Sequence, residues 1–458
     1  MNDFIIIGGG NSGYISALML KKSFPKRKVT VIRSSKIGII GVGESSTEHF
    51  GDFCEYCDIN TCDLILNTKA TFKNGVYFSG WSDEDFLHAV NLPHHDQFHY
   101  LHHVVANNRP NCEMNYCGSW DNKVPLSYFN SMNHTPTRQF HFDTAALNEY
   151  LEQLCLKSGI DVIEDKLETA DIDSKTGNIT SVIGERKYYS KFFIDCSGFC
   201  RFLLKETLGI KWKSYSEYLP LNSAITYESE EMEEYNMYTK STARESGWTW
   251  EIPTQGRTGN GYVYCDRYEP VIERDVTKKF KFDPGRMEKA WHKNCYAVGL
   301  SQSFVEPLEA TSLGSVIQQM FAFINYYPSN SIDECNEIVN KIFDNIFDYV
   351  QAHYLTQRED TPFWKEVKYN LKITPSLQEL LDTWKRRFPQ SDDVMCRWGM
   401  FTALNYIPIL YGLKWFDKKR VAKEYKVTEK SYSWEETRDR CLHIGHKNFI
   451  TEVVKTNE

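Results

Sequence analysis

The chain lacks the long apolar run that a membrane-spanning helix requires, and it has no excess of basic residues. No stretch of about 18 uncharged apolar residues occurs in the sequence, so we expect no transmembrane helix. Lys and Arg total 53 against 61 Asp and Glu, giving a net charge of −8, whereas nucleic-acid-binding surfaces are basic. The apolar run near the N-terminus is too short for a signal peptide. These absences predict a cytoplasmic protein with neither membrane nor nucleic acid as a partner.

A patterned set of cysteines is also missing. The 13 cysteines are odd in number and scattered between Cys54 and Cys441, which predicts reduced thiols rather than a disulfide framework. The tight group that begins at Cys54 has no convincing second pair at zinc-like spacing, and the histidines between His94 and His103 lack an acidic or cysteine partner at ligand spacing. We therefore expect no metal site.

Residues 4–32 have the pattern of one βαβ unit. Phe4–Ile7 is a short apolar run typical of a strand buried on both faces. A G-x-G-x-x-G motif follows from Gly8 to Gly13, then a helical pattern over Tyr14–Ser23 and a second strand pattern over Lys28–Ile32. A glycine turn between a strand and a helix binds the pyrophosphate of a dinucleotide through free N–H groups at the helix N-terminus. The unit predicts a dinucleotide-binding fold.

One expected residue of that fold is replaced. An acidic side chain usually ends the second strand and binds a ribose hydroxyl, but here the strand ends at Arg33 followed by Ser34. Arg33 offers only donors, which suit a phosphate or an adenine face, and Ser34 is the candidate for the ribose contact. Two glycine-containing strand ends, Phe193–Gly198 and Asn294–Gly299, favour a flavin over a nicotinamide dinucleotide. Weaker binding at the adenosine end fits a flavin that is exchanged.

A second set of motifs gives the family. Trp248–Pro253 reads W-x-W-x-I-P, and Lys73 follows Ala70-Thr-Phe. Further segments in the same order are Gly41-Val-Gly-Glu44, Asp195-Cys-Ser-Gly-Phe199, Phe304-Val-Glu-Pro-Leu-Glu309 and Asp360-Thr-Pro-Phe-Trp364. Between about residues 4 and 365 the chain resembles the flavin-dependent halogenases of the tryptophan halogenase type, as a viral or otherwise divergent member. If it is viral, its compartment is the host cytoplasm.

The resemblance implies an α/β fold of the GR2-type flavin monooxygenases, Rossmann-like, with a mixed β-sheet and a mainly helical C-terminal substrate region. We expect an FAD-binding body over residues 1–314, with substrate-side segments inserted at about 70–140, and a helical region over 315–458. The residues expected to hold FAD are Gly8, Gly10, Asn11, Ser12, Gly13, Arg33, Ser34, Val42, Gly43, Glu44, Ser45, Leu167, Gly299, Leu300 and Leu313.

The resemblance also implies a reaction. FADH2 supplied by a separate flavin reductase would react with O2 and a halide ion, and hypohalous acid would reach an electron-rich, indole-like substrate through Lys73. Glu309 is the expected partner carboxylate, with Glu306 facing elsewhere and Lys69 as the lysine to exclude. Burial would lower the pKa of an active-site lysine and free its lone pair.

The remaining site residues follow from the same resemblance. Thr311 and Ser312 are expected to bind halide at a helix N-terminus, although Ala310 and Ser312 both depart from the residues usual in the family. The expected wall beside the flavin is Trp248, Trp250 and Pro253, and the expected substrate lining is His94, His95, Phe98 and Trp398. A small aromatic substrate and a homo-oligomer complete the prediction. Two other functions stay open on these residues: a flavin-dependent monooxygenase without halogenation, and a non-catalytic flavin-binding protein.

Overall fold

The computed structural model describes residues 2–38, 44–89, 97–110, 122–125, 137–272, 275–428 and 443–457. Four of the predicted site residues, Val42, Gly43, His94 and His95, lie outside the described residues. Within the described ranges no helix is both long enough and apolar enough to cross a bilayer.

The helices are α1 Asn11–Ser23, α2 His49–Tyr56, α3 Thr61–Thr68, α4 Gln97–Ala106, α5 Thr144–Lys157, α6 Thr311–Tyr326, α7 Ile332–Ala352, α8 Pro362–Asn370, α9 Pro375–Arg386, α10 Ala403–Gly412, α11 Lys418–Thr428 and α12 His446–Asn457. The strands are β1 Asn2–Ile7, β2 Val29–Arg33, β3 Glu44–Ser45, β4 Thr71–Lys73, β5 Gly75–Ser79, β6 Phe86–Ala89, β7 Lys123–Pro125, β8 Gln139–Phe142, β9 Asp161–Glu164, β10 Thr169–Ile172, β11 Ile179–Ile183, β12 Lys187–Asp195, β13 Trp212–Ser214, β14 Ser223–Ser229, β15 Thr239–Ala243, β16 Gly247–Thr254, β17 Arg257–Tyr264, β18 Lys278–Lys281, β19 Gly285–Met287, β20 Trp291–His292, β21 Cys295–Ala297, β22 Ser303–Phe304 and β23 His443–Gly445.

The predicted βαβ unit forms the centre of the first sheet, whose main path is β10-β11-β12-β1-β2-β9. The two strands beside β1 both run parallel to it, so Phe4–Ile7 is buried on both faces as the apolar run predicts. Helix α1 packs very closely at the end of β1, since a Cβ on Gly13 would lie 2.0 Å from the carbonyl oxygen of Gly8. The close approach explains the third glycine of the motif.

A second sheet runs in the order β18-β14-β17-β16-β15-β5-β6 and carries the tryptophan motif on β16. Side chains alternate across a strand, so Trp248, Trp250 and Ile252 share one face of β16 and Pro253 faces the other way. A small third sheet, β3-β8-β4, holds Lys73 at the end of β4. The second and third sheets thereby bring segments from distant parts of the chain to one place.

The helical part covers one side of this body. Helix α6 runs from Thr311 to Tyr326 and packs against α1, α2 and α7, so the boundary predicted at residue 314 falls inside a helix. One apolar core contains residues from both sides of that position, including Leu313 and Phe323. The helices from α6 onward therefore share a hydrophobic core with the α/β body.

Candidate active site

A cavity of about 630 Å³ opens beside the glycine loop. The predicted FAD residues that line it are Gly8, Gly10, Asn11, Ser12, Arg33, Ser34, Glu44, Leu167 and Leu300, together with the predicted halide residue Ser312. Two further polar atoms of its lining, Nε of Arg33 and Oγ1 of Thr144, are buried without a hydrogen-bond partner. Buried polar atoms are normally paired, so both suit a polar ligand such as a nucleotide.

Carboxylates from other elements surround the arginine that replaces the usual acid. Arg33 forms ion pairs of 3.1 Å with Glu152 of α5 and with Glu164 of β9. Glu152 lines the glycine-loop cavity with its neighbour Glu149. Acidic oxygens are thus available near the expected ribose position, although the second strand itself supplies none.

A chain of side-chain amides fixes the start of α1. Asn148 donates from Nδ2 to the carbonyl oxygen of Gly9 and to Oδ1 of Asn11, each at 3.0 Å. Asn11 in turn donates from Nδ2 to Glu44 at 2.5 Å, and burial raises the pKa of the Glu44 carboxyl to about 7. Sequence analysis missed Asn148 because it lies 139 residues from Gly9 along the chain.

A smaller inner chamber of about 160 Å³ continues from this cavity. Glu44, Leu300 and Ser312 line both spaces, so the two are adjacent. The predicted residues Ser45, Trp250, Gly299 and Thr311 line the inner chamber, and Leu313 is buried beside them in α6. Aromatic side chains make much of the remaining wall: Phe280, Phe282 and Phe304. A polar cavity that leads into an aromatic chamber fits the nucleotide and ring halves of FAD.

The three residues expected to form one wall lie in different places. Trp250 lines the inner chamber with Ile252. Trp248 is buried, with its ring centroid 6.0 Å from that of Trp250, and it donates from Nε1 to Glu306 at 3.0 Å. Pro253 faces the other side of β16 because side chains alternate along a strand. The part of β16 that lines the chamber is therefore Trp250 with Ile252, and of the three predicted residues neither Trp248 nor Pro253 lines it.

A prediction follows for the residue opposite Trp250. A Cβ on Gly261 would lie 2.1 Å from Cη2 of the Trp250 indole, so Gly261→Ala should push the indole off its position at the chamber. Overpacking of this kind costs about 1–3 kcal/mol, and we expect weaker FAD binding in a fluorescence titration. Gly261→Ala combined with Trp250→Phe should recover affinity, because the smaller ring leaves room for the methyl group. Wild-type affinity in the single variant would contradict the placement of Trp250.

Lys73 is buried, with 1% of its surface exposed. Its Nζ donates to the carbonyl oxygen of Ser46 at 2.9 Å, next to Ser45 of the inner chamber. Burial lowers the pKa of the amine to about 8, against the opposing effect of the carboxylates of Glu309 and Glu48. Lys69, the lysine to exclude, is exposed at the end of α3. The structure thus places Lys73, rather than Lys69, in a buried position where part of the amine population is neutral near pH 8.

The lowered pKa of Lys73 predicts a pH dependence of stability. Between the folded value of about 8 and the ordinary value of 10.5, the unfolded chain binds a proton that the folded chain does not. The free energy of unfolding should therefore rise with pH across this window, by up to about 3 kcal/mol. Lys73→Met should lack this contribution, which urea denaturation of both proteins at several pH values would measure. Equal slopes for the two proteins would contradict the buried amine.

Glu309 is the centre of a buried polar cluster. Its Oε1 lies 3.0 Å from Nδ1 of His88, 3.0 Å from Nε2 of His353 and 3.4 Å from the hydroxyl of Tyr349. These partners hold the pKa of the Glu309 carboxyl well below its usual range, although burial opposes them. Nδ1 of His353 also lies 2.9 Å from the carbonyl oxygen of Tyr349, which fixes the orientation of the ring towards Glu309. The arrangement is an ionised carboxylate held by two imidazole rings and a phenol hydroxyl.

The segment from Phe304 to Thr311 separates the inner chamber from the buried cluster around Glu309. Phe304, Pro307 and Ala310 line the inner chamber, whereas Glu309 points towards α7 and β6. Glu306 points a third way, and accepts hydrogen bonds from Trp248 and from the hydroxyl of Tyr354. Different residues of one loop thus face different spaces, which makes this loop the partition between the inner chamber and the Glu309 cluster.

The predicted halide residues begin helix α6. Ala310 precedes the helix in a left-handed conformation, with φ of 57°, and Thr311 and Ser312 follow it and line the inner chamber. The first N–H groups of a helix lack intrahelical partners and favour anions. The position suits a halide ion beside the expected flavin ring.

Two of the predicted substrate residues are described. Phe98 lies half-buried on α4, which packs against α11, and Trp398 contacts Tyr326 at 6.1 Å between ring centroids. Tyr326 ends α6, about 22 Å along the helix axis from Thr311. Trp398 therefore contacts the end of α6 that is remote from Glu309. Nearer candidates, which the sequence did not single out, are His88 and Phe401, whose ring stacks 3.8 Å from that of Tyr349.

The histidines considered as metal ligands have other contacts where they are described. His102 stacks on Phe388 at 4.2 Å, and Nδ1 of His103 lies 2.9 Å from the hydroxyl of Tyr425. Among the residues that the structure covers, no group of three His, Cys, Asp or Glu side chains is arranged to hold a metal ion.

Comparison with known proteins identifies the family. The sequence model described as tryptophan halogenase matches residues 3–426. The chain belongs to the tryptophan halogenase family. The chain is thus an oxidoreductase, a flavin-dependent halogenase, as the tryptophan motif predicted.

Individual relatives agree over most of their length. The halogenase is 28% identical to tryptophan 6-halogenase SttH of Streptomyces toxytricini, over 89% of its own chain and 88% of the relative. It is 26% identical to tryptophan 7-halogenase RebH of Lentzea aerocolonigenes, covering 90% and 89%. The crystal structure of SttH superposes with a TM-score of 0.84 at 25% identity, covering 98% of this chain and 100% of SttH. Tar14, a tryptophan C-6 flavin-dependent halogenase, gives 0.83 at 25% identity, covering 99% and 97%. The predicted fold class is confirmed.

Proposed function

We propose that this halogenase transfers halogen to an electron-rich aromatic ring, of the indole class, and that Lys73 delivers it. Reduced FAD, when bound, supplies the reaction of O2 with a halide ion that yields hypohalous acid. The observation that carries the proposal is the burial of Lys73, with its amine on the carbonyl oxygen of Ser46 and its amine pKa lowered to about 8. An amine that is partly neutral near pH 8 can bind hypohalous acid through its lone pair and present the halogen to one carbon of the substrate.

The residues of the two adjacent spaces would hold different reactants. The glycine-loop cavity would hold the nucleotide half of FAD, and the inner chamber its ring system, with Trp250 against the ring. Thr311 and Ser312 would hold the halide at the N-terminus of α6. The partition loop would exclude the organic substrate from the inner chamber, which disfavours direct hydroxylation of the substrate.

Glu309 is proposed as the base that completes the reaction. Electrophilic substitution adds halogen to a ring carbon and then requires loss of the proton from that carbon. A carboxylate that is held ionised in a buried site can accept this proton. His88 and His353 position Glu309 through Oε1, which leaves Oε2 as the oxygen free of these two contacts.

The chemical class of the substrate is proposed from the site and the relatives together. Aromatic side chains lie beside Glu309, including Tyr349 and Phe401, and SttH and RebH are both named as tryptophan halogenases. A planar, electron-rich ring such as indole stacks well against such side chains. We also propose that a separate flavin reductase supplies the reduced FAD, since the sequence shows one glycine fingerprint and that one is assigned to FAD.

A mass-spectrometric screen tests this function. Purified protein, a flavin reductase, FAD, NADH and air would be combined with tryptophan, substituted indoles and phenols, in chloride, bromide and iodide in turn. We expect a mono-halogenated product of an indole that requires both the halide and the reductase. Hydroxylated product in place of halogenated product would overturn the proposed reaction. Turnover with NADH in the absence of the reductase would overturn the proposed reductase partner.

A further inference from the structure

A chain of buried hydrogen bonds starts at the inner chamber and ends inside the protein. The Ser45 hydroxyl lies 3.1 Å from Oγ1 of Thr239, which lies 3.0 Å from Nε2 of His141. Nδ1 of His141 lies 3.3 Å from Oγ1 of Thr71, and Thr71 donates to the carbonyl oxygen of Pro253 at 2.7 Å. All four side chains are buried, and Ser45 and Thr239 line the inner chamber.

The far end of the chain fixes the direction of every proton in it. The carbonyl oxygen of Pro253 can only accept, so the single hydroxyl proton of Thr71 is used there. His141 must then donate from Nδ1 to Thr71. Burial, with Lys73 and His446 nearby, lowers the pKa of His141 well below its usual value, so His141 is neutral and its Nε2 carries a lone pair.

The directions of the hydrogen bonds at the Ser45 end of the chain follow from the same requirement. Nε2 of His141 must accept, and its partner is the hydroxyl of Thr239. With its proton used, Thr239 can only accept from Ser45. Ser45 therefore donates away from the inner chamber and presents oxygen lone pairs to it.

We propose that Ser45 is a cofactor-positioning residue that accepts a hydrogen bond from a ring N–H of reduced flavin, and so favours the reduced over the oxidised cofactor. The inference rests on the proposed function, which places the flavin ring in the inner chamber. Reduced flavin carries an N–H at the ring position N5, where oxidised flavin has a lone pair. An acceptor at the chamber wall pairs with the first and repels the second, so Ser45 discriminates between the two forms.

Affinity measurements for both cofactor forms test this directly. The dissociation constants of FAD and, under anaerobic conditions, of FADH2 would be measured for wild type, Ser45→Ala and Thr239→Val. One hydrogen bond changes an affinity by about two- to tenfold. Ser45→Ala should lower the preference for FADH2 by this factor. Thr239→Val should lower it further, because the Ser45 proton is released to point into the chamber, where it suits the oxidised ring.

Thr242→Val provides the matched control. Thr242 lies on the same strand as Thr239, three residues along and on the opposite face, and its replacement should leave the ratio of dissociation constants unchanged. FAD binding with the same ratio in wild type, Ser45→Ala and Thr239→Val would overturn this inference while leaving the proposed function intact. Failure of wild type to bind either form of the cofactor would overturn both.

Discussion

Lys73→Ala is expected to lower the rate of halogenation by about 10²–10⁴-fold, the range typical for loss of a group that acts directly on the reacting atoms. The variant keeps the glycine-loop cavity and the inner chamber, since Lys73 lines neither. Oxidation of reduced flavin should therefore continue at a rate close to that of wild type. Halogenated product measured by mass spectrometry, alongside oxygen consumption, separates the two effects.

The neighbouring lysine gives a control for charge and position. Lys69 is exposed and has φ of 53°, a conformation that asparagine tolerates, so Lys69→Asn removes the amine without straining the backbone. We expect wild-type halogenation from Lys69→Asn. Wild-type halogenation from Lys73→Ala would rule out delivery by this amine.

Glu309→Gln is the second change with a large expected effect. The amide keeps the shape of the side chain but cannot take up the proton that leaves the ring, so halogenation should fall by about 10²–10⁴-fold. The change also weakens the buried hydrogen bonds that His88 and His353 make with the Glu309 carboxylate, which is destabilising. Circular dichroism should therefore accompany the assay, so that the loss of rate is measured on folded protein.

Glu306→Gln is the matched control, three residues earlier on the same loop. Burial raises the pKa of Glu306 to about 7, and its role is to accept hydrogen bonds from Trp248 and Tyr354. An amide oxygen can accept both, so we expect less than a tenfold loss of halogenation. Equal losses in Glu306→Gln and Glu309→Gln would show that the loop tolerates no change, and would remove the case for Glu309 as the base.

Local patterns in the sequence predicted the parts of this fold that local interactions determine. The strand over Phe4–Ile7 and the helix that ends at Ser23 appear as β1 and α1 because burial on both faces and close glycine packing leave a plain pattern. The alternation in Trp248-Thr-Trp250-Glu-Ile252 also contained a signal that was not used. A residue one position after Ile252 must face away from the two indoles, and this places Pro253 on the far side of β16.

Contacts between distant segments could not be predicted in this way. His88 and Glu309 are 221 residues apart, and only the arrangement of β6, the loop 304–311 and α7 brings them together. Trp398 is an aromatic residue of the helical region, but the sequence contains no information on which end of α6 it contacts. The pairing of Arg33 with Glu152 depends likewise on the packing of α5 against α1 and β9.

The central claim is that the oxidant is produced in the inner chamber and used at Lys73 without release into solution. A competition assay measures this most directly: halogenation of an indole is followed while a soluble scavenger that reacts with free hypohalous acid is increased in concentration. The account predicts that wild-type product is insensitive to the scavenger, and that Lys73→Ala halogenates the scavenger instead. Loss of wild-type product in proportion to scavenger concentration would contradict it.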